Sequence, residues 1–374
     1  MAEAQAKPAL VPVLHRRLGA LTRLAGVTGV AVLLAALALG QRASTGQPDF
    51  KPERLVPALR ENLQNVTLIQ IETKTASFNV TRTAEGRWIV PDKANYPADS
   101  ATVLKTILGL AEFDLIERRT ARADWHEKLG LSLPKSGGAG TLVSMKNAKG
   151  EMLASVIVGN TAEGAAAAGE TARYVRRANE PQTYVGRGNF DPPTEQARWL
   201  DKRFFEFARD RIKTGSVKPF KGKPYSVTRA KPQDENFTVV ERLPAGRMLR
   251  TENEANAIGN ALLGLTFDDV KPLASVNFAN AARADFVTFD GLSLSFSLIE
   301  QDRDFWMSVT AAADTSPAQP APAPAGAAAL KPDVAKEAQE INRIVSGWAY
   351  KVPRYKGVLL STPLEDLLKP VGSP

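Results

Sequence analysis

The chain of 374 residues has no cysteine and two histidines, His15 and His126. The missing cysteine excludes disulfides, thiolate nucleophiles and thiolate-ligated metals together, and leaves the redox compartment unreported. Two histidines set on opposite sides of an apolar run exclude a multi-histidine metal centre within one chain. Complete catalytic motifs are missing as well. His126-Glu127 opens like a zinc-protease helix, but Gly130 stands where the second ligand belongs. Ser132-Leu-Pro-Lys135 has serine–lysine spacing with Pro134 between the two, in loop-like sequence. Ser136-Gly-Gly-Ala-Gly140 lacks the pattern of a phosphate-cradling loop. The sequence therefore nominates no catalytic, cofactor-binding or metal-ligating residue, and no cofactor.

What is present begins with an apolar run. Leu24 to Gly40 carries no charge for 17 residues, about 26 Å as a helix and the lower limit for a bilayer span. His15, Arg16, Arg17 and Arg23 precede it, and Arg42, Asp49 and Lys51 follow. The positive-inside bias puts the tip in the cytoplasm and the body outside. An uncleaved anchor is the expectation. A cleaved signal peptide, with Ala36-Leu-Ala38 as its processing site, is the alternative. No cysteine follows the run, so a lipid-modified cysteine is excluded.

The remainder has an ordinary globular composition, 44% hydrophobic and 24% charged. Net charge is +8, with Lys and Arg scattered along the chain; this reads as general basicity and not as a nucleic-acid surface.

The pattern recurs internally. Phe78–Arg82 leading to Arg87–Val90 resembles Tyr225–Arg229 leading to Asn236–Val240. Thr102–Ile116 aligns with Asn256–Val270, setting Leu108, Phe113, Asp114 and Ile116 on Leu262, Phe267, Asp268 and Val270. The expected fold is α+β: two tandem copies of a mainly antiparallel sheet-plus-helix unit behind an N-terminal transmembrane helix. The expected divisions are residues 1–48 for tip, anchor and spacer, 49–210 for the first unit and 211–374 for the second. A Pro/Ala-rich stretch at 311–330 is expected to be a mobile loop.

Several local expectations follow. Gly86 closes a hairpin between Phe78–Thr83 and Arg87–Val90, and Asp290-Gly291 closes another. Asp99 or Ser100 caps a helix burying Val103, Ile107, Leu108 and Leu110. Strands are expected at Thr141–Lys146, Met152–Val158, Ala172–Arg177 and Gln182–Val185, and a helix at Val334–Val345. Thr194–Asp201 and Pro363–Lys369 read as amphipathic helical segments. The acid pairs Asp268-Asp269 and Glu365-Asp366 point to opposite faces on a strand, which denies them a glycosidase dyad. Lys202–Arg211 mixes basic and aromatic residues, as nucleic-acid sites do. Its place at the junction of the halves instead gives Phe204, Phe205 and Phe207 a packing role.

Four groups of residues carry a family resemblance. They are Gly86-Arg-Trp88 with Tyr96-Pro-Ala-Asp99, Val158-Gly-Asn160 with Arg173–Arg177, Phe289–Leu292, and Gly347–Pro353 with Leu364–Leu367. Over residues 50–370 the chain resembles an uncharacterised bacterial family found alongside gliding-motility-type ABC transport components. The resemblance implies a membrane-tethered periplasmic domain that assists a transporter and has an ABC permease as partner, and it brings no catalytic residues. The expectation is a single-pass inner-membrane accessory protein, binding or scaffolding, without catalysis or nucleic-acid binding. The rivals are an envelope scaffold that touches no substrate and a carboxylate-dependent enzyme acting on envelope glycans.

Overall fold

A computed structural model describes residues 50–165, 170–251, 253–313 and 333–372. The first sheet has ten strands: β1 (Glu53–Arg54), β2 (Leu68–Glu72), β3 (Ser77–Arg82), β4 (Trp88–Val90), β5 (Tyr96–Pro97), β6 (Asp114–Arg118), β7 (Thr141–Lys146), β8 (Met152–Thr161), β9 (Thr171–Arg177) and β10 (Tyr184–Gly188). The second has eight: β11 (Ile212–Lys218), β12 (Tyr225–Thr228), β13 (Thr238–Val239), β15 (Asp269–Pro272), β16 (Ala282–Thr288), β17 (Leu292–Gln301), β18 (Asp304–Ala313) and β19 (Trp348–Val352). β14 (Arg247–Leu249) and β20 (Leu368–Pro370) form a separate ribbon. Every strand pair is antiparallel, and alternation puts Val143, Met145, Leu294, Phe296 and Leu298 inside.

The strand order is β1-β6-β10-β9-β8-β7-β2-β3-β4-β5 in the first sheet and β13-β12-β11-β16-β17-β18-β19-β15 in the second. The run from β6 to β4 and the run from β15 to β13 follow the same order, which is a likeness of sheet topology. It does not divide the body, because one apolar core runs from Leu55 and Ile69 through Phe113 and Trp199 to Phe267, Phe296 and Tyr350.

The expected tandem pair of sheet-plus-helix units is thereby overturned. The body is dominated by its sheets, and the helix expected from Asn256 onward is one reason. Only Asn253–Gly259 is helical, and Gly264 takes a left-handed φ of +58°. Beyond the helix end, Lys356 Nζ donates to the carbonyls of Ala261 and Leu263, both at 2.7 Å, and holds the turn that replaces it. Thr194–Asp201 likewise gives only the short turn Gln196–Trp199, and Pro363–Lys369 gives the turn Leu364–Leu367 before β20.

Among the described residues no helix is long and apolar enough to cross a membrane. The expected span Leu24–Gly40 lies outside the described residues, as does most of the Pro/Ala stretch at 311–330.

The Ser100–Ala111 helix starts where Asp99 accepts from the N–H groups of Ala101 (3.3 Å) and Thr102 (3.0 Å). It buries Val103, Ile107 and Leu110, while Leu108 remains 37% exposed and is corrected from core to surface. The aligned Leu262 is buried, so the two stretches differ in environment at that position. Gly86 turns the β3–β4 hairpin at φ +82°, a backbone conformation that costs glycine least.

The halves meet through aromatic rings. Tyr96 contacts Phe267 (5.9 Å between centroids), Trp348 (5.1 Å) and Tyr350 (6.3 Å), with its plane near perpendicular to each. Phe204 packs on Phe267 (5.6 Å) and Tyr350 (4.9 Å), and Phe205 on Phe296 (6.3 Å). Lys93 and Asp269 add an ion pair across the same seam at 2.6 Å. Phe267→Ala should cost about 3–5 kcal/mol, the usual range for an aromatic removed from a core. Because the core is continuous, amide exchange should speed up in both sheets; acceleration confined to β15–β19 would show that the halves unfold independently.

Candidate functional site: the cleft at the sheet junction

An open cleft of about 1000 Å³ lies between the segment Arg198–Phe207 and the turn Gly264–Thr266. Its first wall is built from buried Trp199, whose Nε1 donates to the Pro193 carbonyl at 2.9 Å. Ala98 bridges Leu200 in antiparallel fashion. The Asp99 N–H donates to the Trp199 carbonyl (2.8 Å), and the Asp201 N–H to that of Pro97 (2.9 Å). These contacts deliver Asp99, the helix cap, and Asp201 to the rim. The opposite wall owes its shape to the Lys356 ammonium, which holds the turn after the Asn253–Gly259 helix.

The rim charges divide into committed and uncommitted groups. Arg203 grips Asp201 with Nε (2.9 Å) and Nη2 (2.7 Å), and its N–H donates to the same carboxylate (3.1 Å). Partial burial alone would raise the Asp201 pKa, but the Arg203 hydrogen bonds outweigh it and leave the group below its ordinary value. Asp99 is occupied by the helix N-terminus. Among the described residues Arg198, Lys202 and Glu206 enter no ion pair.

Behind the rim, Tyr96 donates its hydroxyl to the Asp201 carbonyl at 3.3 Å. Burial pushes its pKa up to about 12, against a smaller opposing pull from Tyr350, and the Asp201 charge adds to the rise. Tyr350 is pushed up further, also by burial.

A second, smaller cleft of about 500 Å³ lies where β8 and β9 diverge. Here the structure unites two stretches that are separate in sequence, Val158-Gly-Asn160 and Arg173–Arg177. Arg173 Nη1 donates to the Gly159 carbonyl (3.2 Å), and Nη2 to Asp191 (2.5 Å). Its Nε is buried with no partner among the described residues. Asn160 is held by the Lys128 carbonyl (3.2 Å). Farther along β9, Arg176, 5% exposed, donates to the carbonyls of Leu131, Ala178 and Glu180 and ties those segments to the strand.

The motifs weighed in the sequence take structural places. His126 is buried with Nε2 2.9 Å from the Pro181 carbonyl, and Gly130 turns the chain at φ +69°. Lys135 directs its ammonium to Glu72 on β2 (3.5 Å). Gly138 and Gly140 crowd the Ser132 backbone, where a Cβ would come within 2.7 Å, so these glycines serve close packing. Asp269 pairs with Lys93, and Glu365-Asp366 begins the turn that leads into β20. No group of three or more metal-ligating side chains occurs among the described residues. Trp199 is core, whereas Trp125 is 41% exposed beneath Lys128.

Sequence reasoning singled out Lys202–Arg211 but missed Arg198, Asp201 and the Gly264–Thr266 wall. The available signal was weak: an aspartate two residues after a tryptophan, just past the first sheet's last strand.

Residues 88–285 match a family described as "Domain of unknown function (DUF4340)", just over half of the chain. The chain belongs to that family. The match begins in β4 and ends in β16, so it contains every residue lining both clefts. Neither a curated protein nor a solved structure matches the chain.

A buried tyrosine makes alkaline pH the sensitive direction. With a folded pKa near 12 for Tyr96 and an unfolded value of about 10, the folded chain keeps a proton that the unfolded chain releases. Stability is therefore full below about pH 10 and falls as pH rises towards 12. Tyr96→Phe should flatten the slope of denaturation midpoint against pH in this window, leaving the part due to Tyr225 and Tyr350, which burial also raises. An unchanged slope would remove Tyr96 from the account.

Proposed function

We propose that this protein is a non-catalytic binding or scaffolding body that serves an ABC-type transport or envelope system from a single-span membrane anchor. The observation that carries the binding role is the junction cleft. It is open, it lies wholly within the family match, and its rim bears Arg198, Lys202 and Glu206 with charges that the described residues leave unpaired. Ionic groups kept at a concave surface without internal partners favour recognition of a charged ligand or protein.

The transport link rests on the motif resemblance, an associational warrant. The anchor rests on Leu24–Gly40 and its flanking charges, which also support a periplasmic body. Glycan hydrolysis is the weaker reading: Asp201 is spent on Arg203, Asp99 on a helix cap, Asp191 on Arg173 and Asp269 on Lys93, so among the described residues no free carboxylate pair faces either cleft.

In-membrane crosslinking of the full-length protein, gentle detergent extraction and mass spectrometry test the proposal. Near-stoichiometric recovery of an ABC permease and ATPase is the expected result. Recovery of the protein alone, or only with itself, would sink the transport role.

A further inference from the structure

The Ala98–Leu200 bridge is the end of a ladder that stops short. Its next antiparallel positions would set Lys202 against Tyr96 and Phe204 against Ala94. Ala94 and Asn95 take left-handed φ values of +52° and +65°, which turn the would-be partner strand back on itself.

From Lys202 to Ala208 the chain therefore runs on without a sheet partner. Only the Arg203 N–H (to Asp201, 3.1 Å) and the Ala208 carbonyl (from Arg211, 3.1 Å) are hydrogen-bonded within this stretch among the described residues. The segment is nevertheless fixed. Phe204 and Phe205 are wedged against Phe267, Tyr350 and Phe296, and Phe207 is buried. A held backbone whose donors and acceptors find no partner among the described residues, beside an open cleft, offers those groups to an added strand.

We propose that Lys202–Phe207 is a docking edge for an extended, acid-bearing peptide segment of a partner protein, which enters the junction cleft as an added antiparallel or parallel strand. This deepens the binding role proposed above and rests on it. Backbone hydrogen bonds supply the affinity. Arg198 and Lys202 supply selectivity at one end, because Asp201 and Asp99 are already engaged and cannot neutralise them. Glu206, at the far end, disfavours a second acid there and so sets the direction of the peptide.

The test uses full-length protein in detergent and a Val/Thr-rich peptide of about seven residues, with Asp at one end and Lys at the other. A control peptide is N-methylated at alternate amides, which removes the ladder bonds without touching the protein. Hydrogen exchange should slow across residues 202–208 when the first peptide binds. N-methylation should weaken binding by about tenfold or more, as should Arg198→Glu combined with Lys202→Glu.

Unchanged exchange at 202–208 under saturating peptide, or equal binding of the N-methylated control, would overturn the proposal. Equal binding of a peptide with Lys in place of its Asp would overturn the acidic selectivity. The two proposals fail separately. Crosslinked permease recovered equally by wild type and by the Arg198→Glu, Lys202→Glu variant, without peptide protection, removes the docking edge and spares the accessory role. Peptide protection with no transporter recovered does the reverse.

Discussion

The aromatic seam around Tyr96, Phe204, Phe267 and Tyr350 is the contact on which the rest of the body depends. Sheets with one apolar face must bury it against something, and here rings from both halves and from the linking segment fill the same space. Edge-to-face geometry fixes the rings in angle as well as in distance. The junction cleft is a consequence: Phe204 and Phe207 anchor one wall to the seam, and Phe267 follows directly on the turn that makes the other.

Buried cations form the second layer of organisation. Arg176, Arg229 and Lys356 are each less than a tenth exposed, and each directs its hydrogen bonds to backbone carbonyls. Burying a charge without a carboxylate is tolerable when several oriented carbonyl dipoles replace its hydration. The same bonds satisfy carbonyls that loops and interrupted helices leave open. Lys356 shows this most directly, since it ties together the carbonyls of Ala261 and Leu263 in the turn after Gly259. Its pKa is lowered by burial, so the ammonium is held at a cost that the two carbonyl bonds offset in part. Arg229 lies, besides, over the Phe237 ring at 4.7 Å.

Local structure was legible wherever period and turn chemistry agreed. Thr141–Lys146 and the Val334–Val345 helix stand where their alternation and helical spacing put them, and Asp99 caps as its residue type suggests. The misreadings share a cause. Leu108 has the right residue type and nearly the right phase for a core position, but it lies at the margin of the face that buries Val103, Ile107 and Leu110 and stays 37% exposed. Asn256–Val270 carries a helical pattern, but past Gly259 it folds into a turn through left-handed Gly264, held by a lysine nearly a hundred residues downstream. The cleft was hidden for the same reason: its walls come from segments some sixty residues apart, and nothing in either reports the other.

By itself the sequence determined what depends on short-range sterics and on composition: antiparallel strands joined by glycine turns, the helix caps, the exclusion of thiol and multi-histidine chemistry, and an apolar run with basic flanks. Only the tertiary structure decided how many strands share a sheet, that one core spans both sheets, which carboxylates are already engaged, and where backbone is left unpaired beside a cleft. These properties depend on which distant groups compete for the same hydrogen bonds and the same buried volume, and that competition exists only once the chain has folded.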